Sequence, residues 1–235
     1  ILDRHEEAIA CFDALIARYP DYATAHYNRA SALSDLNRYE EALDGYDQFL
    51  RLTSENAAIL NKRGNMQRGM GRHLDALASY EKAIGLDGGI PEIHLNRSAV
   101  LFALKQRDEA LSSCDRALAL NPNSGAAHLR RGITLAGLKR YREAVASYEQ
   151  ACRLEVDRAY LPGDLLHVRQ QICDWSGLED SFREILAGID AGEKSTGPFS
   201  VLATPASPRQ QRRCAELYVQ DRIPPVATSV WTAGP

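Results

Sequence analysis

Cysteine is scarce and scattered in this 235-residue sequence: Cys11, Cys114, Cys152, Cys173 and Cys214 make an odd number at wide spacings. No C-x-x-C pair occurs among them, which excludes the common zinc and thiol-exchange frameworks. Reduced, small core residues are their expected role, and free thiols without an export signal point to the cytoplasm. Long apolar runs are missing as well. Nothing approaches the roughly 20 residues that cross a bilayer, and Ile1-Leu2-Asp3-Arg4-His5-Glu6-Glu7 holds neither a start methionine nor the apolar core of a signal peptide. A soluble chain cut from something longer is expected. There is no basic excess either: Lys+Arg 28 against Asp+Glu 31 gives a net charge of -3, so neither nucleic acid nor a membrane surface is an expected partner. With 45% apolar and 25% charged residues, disorder of the whole chain is excluded.

What the chain has in abundance is self-similarity. Ala8, Ala42, Ala76, Ala110 and Ala144 recur every 34 residues, in strings such as Tyr39-Glu40-Glu41-Ala42-Leu43 and Asp108-Glu109-Ala110-Leu111. Four residues on come Phe12, Tyr46, Tyr80, Cys114 and Tyr148, and three further Leu15, Phe49, Ala83, Ala117 and Ala151. Spacings of four and three place these residues on one face of a helix. Upstream, Ala30, Gly64, Ser98 and Gly132 leave one small residue per unit, where two helices can approach closely.

This pattern resembles the tetratricopeptide repeat, with its small eighth residue, Ala at the twentieth position, an aromatic at the twenty-fourth, Ala at the twenty-seventh and often Pro at the thirty-second. The resemblance implies an all-α fold, a right-handed superhelix of antiparallel helix pairs (an α-solenoid) followed by additional C-terminal helices and an irregular tail. The expected organisation is a lone second helix in 1–22, ending at Pro20; complete repeats at 23–56, 57–90, 91–124 and 125–158; a helical cap or connector at 159–221; and a linker at 222–235. Helices are predicted near 6–18, 24–36, 40–52, 58–70, 74–86, 92–104, 108–120, 126–138 and 142–154. Pro122 matches the closing proline, while Ser54, Gly88 and Val156 depart from it.

Two polar columns run through the repeats. Arg29, Arg63, Arg97 and Arg131 hold the seventh position, and Asp47, Glu81, Asp115 and Glu149 the twenty-fifth. Pairing within the stack, with the arginine stems covering apolar surface, is favoured over a basic ribbon for an acidic ligand. His26, His94 and His128 share the fourth position. A metal site needs ligands converging to roughly 2 Å from one ion. Packed helices stand about 10 Å apart, so these histidines are expected to pack at helix interfaces, and no metal or cofactor is expected.

The sixth position of such repeats faces the groove, and here it carries Asn28, Lys62, Asn96 and Arg130. In O-linked N-acetylglucosamine transferases asparagine at this position holds an extended peptide backbone, since an amide offers both a donor and an acceptor. Asn28 and Asn96 match that ladder; Lys62 and Arg130 replace amides by charge, which favours acidic peptides. The carboxylate clamp of chaperone adaptors uses the same surface. Asn65, Asn96 and Arg130 match it, while Asn61 and Ala126 stand where its two lysines would be, which removes most of the charge-assisted bonds. The groove candidates are therefore Tyr27, Asn28, Asn61, Lys62, Asn65, Asn96 and Arg130.

After Asp157 the period fails. A Pro162-Gly163 turn is expected, then helices from Leu165 to Cys173 and from Leu178 to Ala191. A loop over 192–208 follows, tied down by Phe199, Val201 and Leu202. Ser207-Pro208 should start a further helix, with Ser as N-cap, running to about Gln220. The run Val168-Arg169-Gln170-Gln171-Ile172-Cys173-Asp174-Trp175, with Pro198-Phe199-Ser200-Val201-Leu202-Ala203-Thr204-Pro205 and Cys214-Ala215 behind it, resembles the segment joining repeats to the catalytic region in bacterial members of glycosyltransferase family 41, the O-linked N-acetylglucosamine transferases. Within that resemblance Trp175 buries the end of the solenoid and Asp174 caps the next helix. The family's nucleotide-sugar-binding lobes are not in this chain, so the chain is expected to be non-catalytic, with a UDP-sugar donor belonging to the parent protein alone.

The function expected from these residues is a protein-interaction scaffold that recruits protein substrates or partners, held in a concave groove, for an adjoining glycosyltransferase domain. A free-standing adaptor for acidic or C-terminal-carboxylate peptides is the alternative. An active site within 159–235 is disfavoured, because His167 is the only histidine there and no nucleophile–base pair is evident. The exposed ends of the stack are candidate surfaces for a homo-oligomer.

Overall fold

The computed structural model describes residues 2–154 and 159–222; the expected linker, apart from Arg222, and Val156 lie outside them. Among the described residues there are twelve α-helices, one short 3-10 turn and no strand. The chain divides into two compact units, Ile1–Pro122 and Asn123–Pro235.

The first unit is α1 (Leu2–Arg18) followed by the hairpins α2 (Ala23–Asp35) with α3 (Tyr39–Leu52), α4 (Ala57–Gly69) with α5 (His73–Leu86), and α6 (Pro91–Ala103) with α7 (Arg107–Leu120). Each hairpin packs internally, and α1 on α2, α3 on α4 and α5 on α6 join one hairpin to the next. The recurring alanines explain the closeness: Ala42, Ala76 and Ala110 have no exposed surface. The small eighth residue has an equally direct reason. A Cβ on Gly64 would stand 2.5 Å from the Tyr80 ring, so the aromatic of one helix occupies the space that a side chain on the other would need.

Hairpin turns are set by a feature that the repeat pattern did not reveal. Asn37, Gly71 and Lys105, one per hairpin, adopt positive φ of 58°, 75° and 65°. Just beyond them, the backbone N–H groups of Arg38, Arg72 and Gln106 donate to the carbonyls of Leu33, Gln67 and Leu101 at 2.9, 2.8 and 2.9 Å. This is the left-handed closing turn that satisfies the last carbonyls of a helix. At the other end, Asn56 Oδ1 accepts from the backbone N–H groups of Ala58 and Ile59, capping α4.

The second unit starts with one more hairpin, α8 (Gly125–Gly137) and α9 (Tyr141–Arg153), turned at Lys139 with φ 60°. Gly132 again makes room for an aromatic ring, that of Tyr148. Then come α10 (Leu161–Gln171), α11 (Leu178–Ala191), the 3-10 turn Ser200–Ala203 and α12 (Pro208–Arg222). The expected Pro-Gly turn is corrected: Pro162 and Gly163 lie in the first turn of α10, where proline's missing N–H costs no helix bond.

Gly163 is there for a buried strap. A Cβ on it would lie 2.1 Å from Thr196 Oγ1, and one on Gly188 would lie 2.0 Å from Ser195 Oγ. Residues 194–196 thread past these two glycines. Tyr160 N–H donates to Lys194 O, Gly163 N–H to Ser195 O at 3.0 Å, and the Cys214 thiol to Thr196 O at 3.2 Å. A core of Leu166, Ile185, Ile189, Val201 and Cys214 closes around the strap. As expected, Ser207 caps α12, its backbone N–H donating to Gln210 Oε1 at 3.0 Å while its hydroxyl accepts from Gln210 N–H.

Several expectations for this region are overturned. Of the three apolar residues read as tying down the loop, Val201 alone is buried; Phe199 and Leu202 are exposed. Trp175 is 56% exposed and does not bury an end of the fold. Asp174 accepts from the Ser176 N–H and hydroxyl in a local turn, while the residue at the N-cap of α11 is Gly177. Cys11 and Cys173 are exposed and Cys152 half-buried, so only Cys114 and Cys214 behave as core residues.

Candidate functional site

The charged columns prove to be internal ties. Arg63 donates to Asp47 in the preceding hairpin at 2.9 Å and to Ser79 in its own at 3.0 Å; Ser79 in turn donates to the buried Gln67. Arg97 repeats the arrangement with Glu81 at 3.0 Å and Ser113 at 2.8 Å. Arg29 pairs with Asp13 of α1, one period before Asp47. In the second unit Arg131 reaches Ser147 at 2.8 Å and Glu149 pairs with Arg169. Half-exposed pairs of this kind contribute on the order of 0.2–1 kcal/mol each.

Two of the three fourth-position histidines are structural too. His26 Nε2 donates to Pro20 O at 2.7 Å and His94 Nε2 to Gly88 O at 3.0 Å, each fastening the carbonyl six residues before it. No group of three or more His, Cys, Asp or Glu among the described residues is placed to hold a metal ion. Among them no helix is long and apolar enough to cross a membrane. In the second unit a cavity of about 450 Å³ is lined by Glu149, Arg153, Arg169 and Asp180, among others. Its charges are engaged locally, Arg169 with Glu149, Arg153 with Gln150 and Asp180 with Arg183.

The groove candidates of the first unit sit half-buried on the first helices: Tyr27 and Asn28 on α2, Asn61, Lys62 and Asn65 on α4, and Asn96 on α6. Because α4 also contacts α6 directly, side chains one period apart can meet. Asn96 Nδ2 donates to Asn61 Oδ1 at 3.0 Å, across two successive hairpins. Tyr80 donates to Asn65 Oδ1 at 2.7 Å. Burial pushes the Tyr80 hydroxyl up to about 12, against the nearby Arg68, so it keeps its proton for that bond. Asn28 makes no side-chain hydrogen bond among the described residues.

Lys62 is the half-buried cation of this face. Its ammonium stands 5.3 Å from the centre of the Tyr27 ring, a cation–π contact. Tyr27 itself packs against Phe49 at 5.6 Å and Tyr46 at 6.0 Å between ring centres. Much of the Tyr27 ring is therefore packed inside the protein. Burial disfavours the charge on Lys62, but Tyr46, Tyr27 and Asp35 outweigh it and hold its pKa above the ordinary lysine value. Arg130, the remaining candidate, lies half-buried on α8 in the second unit. Sequence reasoning missed Arg68. It lies six residues beyond Lys62 on α4, and the signal was its place at the twelfth position, one turn past Asn65.

Family models of the tetratricopeptide repeat match residues 2–57 and 29–91, then 91–124 and 126–155. The chain has no match among curated proteins. Among solved structures, that of YrrB, described as a TPR protein with an unusual peptide-binding site, is similar with a TM-score of 0.62 at 20% identity, covering 87% of this chain and 97% of that one. MamA from Desulfovibrio magneticus RS-1, from residue 41 to its end, gives a TM-score of 0.64 at 18% identity over 69% of this chain and 92% of that one. The Cut9–Hcn1 hetero-tetramer of the APC/C gives 0.64 at 16% identity over 92% of this chain and 40% of that one. At these identities the likeness is one of fold.

Proposed function

The chain belongs to the tetratricopeptide repeat proteins, and from that premise we propose that it is a protein-interaction scaffold whose first helices hold an extended segment of a partner protein. The observation that carries this reading is the Asn61–Asn96 hydrogen bond at 3.0 Å. It draws two successive hairpins together on a half-buried polar face, where the packing of alanines and aromatics has no need of amides. Asn28, Asn61, Lys62, Asn65 and Asn96, with Tyr27 at their edge, are the proposed contact residues of the first unit, and Arg130 on α8 is that of the second. Each asparagine keeps at least one hydrogen-bonding group that no internal partner uses among the described residues, and a peptide backbone offers complementary groups at every residue.

The scaffold is further proposed to recruit protein substrates to an adjoining glycosyltransferase domain of the O-linked N-acetylglucosamine transferase type, outside this chain, with a UDP-sugar as that domain's donor. What supports this part is the resemblance of Val168 to Trp175 and of Pro198 to Pro205 to the joining segment of those enzymes. The cytoplasm is the proposed compartment.

Replacing Asn28, which has no internal side-chain bond to lose among the described residues, by Ala should weaken partner binding at least several-fold while leaving the melting temperature in place; unchanged binding would move the interface off these helices. For the transferase part, UDP-N-acetylglucosamine is titrated calorimetrically into the longer parent protein and into this chain. Binding by the parent alone supports the reading. Binding by neither favours a free-standing adaptor.

A further inference from the structure

Donors predominate among the hydrogen-bonding groups left over on α4. Asn61 Oδ1 already accepts from Asn96 and Asn65 Oδ1 from Tyr80, which leaves each oxygen one lone pair, while both N–H groups of each amide are without an internal partner among the described residues. Between them stands Lys62, and beyond them Arg68, whose guanidinium lies near the Tyr80 hydroxyl. Lys62 to Arg68 spans about 9 Å along a helix rising 1.5 Å per residue. Neither cation has a carboxylate within salt-bridge distance among the described residues, whereas Arg29, Arg63 and Arg97 in the same unit each have one. Asp35 of α2 is the carboxylate that acts on Lys62, and it is the weakest of the influences on that ammonium. The contrast is specific to α4. On α6 the sixth position is Asn96, which donates one N–H internally and keeps the other N–H and its oxygen for a ligand.

We infer that α4 reads internal acidic side chains of an extended peptide, with Lys62 and Arg68 meeting Asp or Glu carboxylates while the Asn61 and Asn65 amides donate to carboxylate or backbone oxygens. The inference rests on the proposed reading of this face as a peptide site and adds the charge of the occupant. Charge-assisted bonds from donors held in place are the strong ones, and the Lys62 stem, lying against Tyr27, is already partly ordered before the ligand arrives. A free C-terminal carboxylate is not required, since the groups are side chains of one helix rather than a ring closed around a chain end.

The test is fluorescence anisotropy on the full chain with three labelled twelve-residue probes: alternating Ala and Glu, capped as a C-terminal amide; its Gln counterpart, also amidated; and the Gln peptide with a free carboxylate. At low salt the Glu probe should bind about tenfold or more tighter than either Gln probe, with the advantage shrinking as salt screens it. Lys62→Met combined with Arg68→Met should bring the Glu probe to the Gln level. Arg51→Met with Arg116→Met, the same charge change on the exposed surfaces of α3 and α7, should not. Salt dependence of the unaltered protein provides the same readout should the double variant lose its fold. Equal binding of Glu and Gln probes, or equal losses in both double variants, would overturn the inference while leaving the peptide site intact. Tight binding of the free-carboxylate Gln probe would replace it by recognition of a chain end. No binding of any probe would overturn the peptide-site reading along with it.

Discussion

In the first unit the arginine ties recur one period apart: Arg63 with Asp47 and Ser79 is followed by Arg97 with Glu81 and Ser113. In the second unit that recurrence stops after α9, and a three-residue strap takes over, seated against two glycines and bonded to Tyr160, Gly163 and Cys214. Repetition distributes stability over neighbours, so one lost tie costs little. A strap concentrates it, so one added methyl group is felt throughout.

The largest effect should come from Gly163→Ala. The new Cβ meets Thr196 at 2.1 Å, with the strap backbone 2.9 Å away, and overpacking of this kind costs about 3 kcal/mol. Hydrogen-exchange protection should collapse across α10, α11 and α12 and persist in α2 to α7. Equal loss in both sets would show that the units do not differ as described.

Next is Asp164, on α10. Burial raises its pKa to about 6, opposed by His167 and Arg222. A carboxyl whose folded pKa is raised contributes stability that is complete below its unfolded value near 4 and is lost as pH rises through about 6. The second unit should thus become more stable between pH 7 and pH 4 on account of this group. Asp164→Asn should flatten that dependence and stabilise the unit at neutral pH by about 1–3 kcal/mol, the order given by a shift of this size. Thermal melts across pH check it.

The boundary between what the sequence revealed and what it hid follows the same contrast. In the four complete repeats, helix boundaries expected from the 34-residue period lie within a residue or two of those observed, because each position recurs with the same neighbours; α1 of the partial repeat starts at Leu2, four residues before its expected start. The pairing of Arg with acid followed from matched columns, although Asp13, one period upstream, escaped notice. Past α9 no second copy existed to compare. Gly163 was read from local turn chemistry, whereas its lack of a side chain answers Thr196, 33 residues on. The site was half legible. The sixth-position residues were identifiable from the repeat, but Tyr80 occupying Asn65 and Asn96 occupying Asn61 are contacts over 15 and 35 residues. They occupy one acceptor site on each of two amides and bias them towards donating, and no local pattern encodes that.

Two smaller effects sharpen the comparison from the repeat side. Arg63→Met should cost about 1 kcal/mol, since it removes a half-exposed ion pair and one bond to Ser79 while keeping the apolar stem. A loss as large as that of Gly163→Ala would contradict distributed stability. Lys105→Gly should gain roughly 0.5 kcal/mol by relieving a left-handed residue at φ 65°, read as a rise in the denaturant midpoint.

The central claim is that the first helices of the first unit hold a peptide, and the side-chain amides report on it most directly. In a nitrogen-15 correlation spectrum of the full chain titrated with the amidated Ala–Glu probe, the account predicts that the NH2 signals of Asn28, Asn61, Asn65 and Asn96 shift together and saturate with one affinity. Shifts confined to α3, α5 and α7, with those four amides unmoved at saturation, would contradict it.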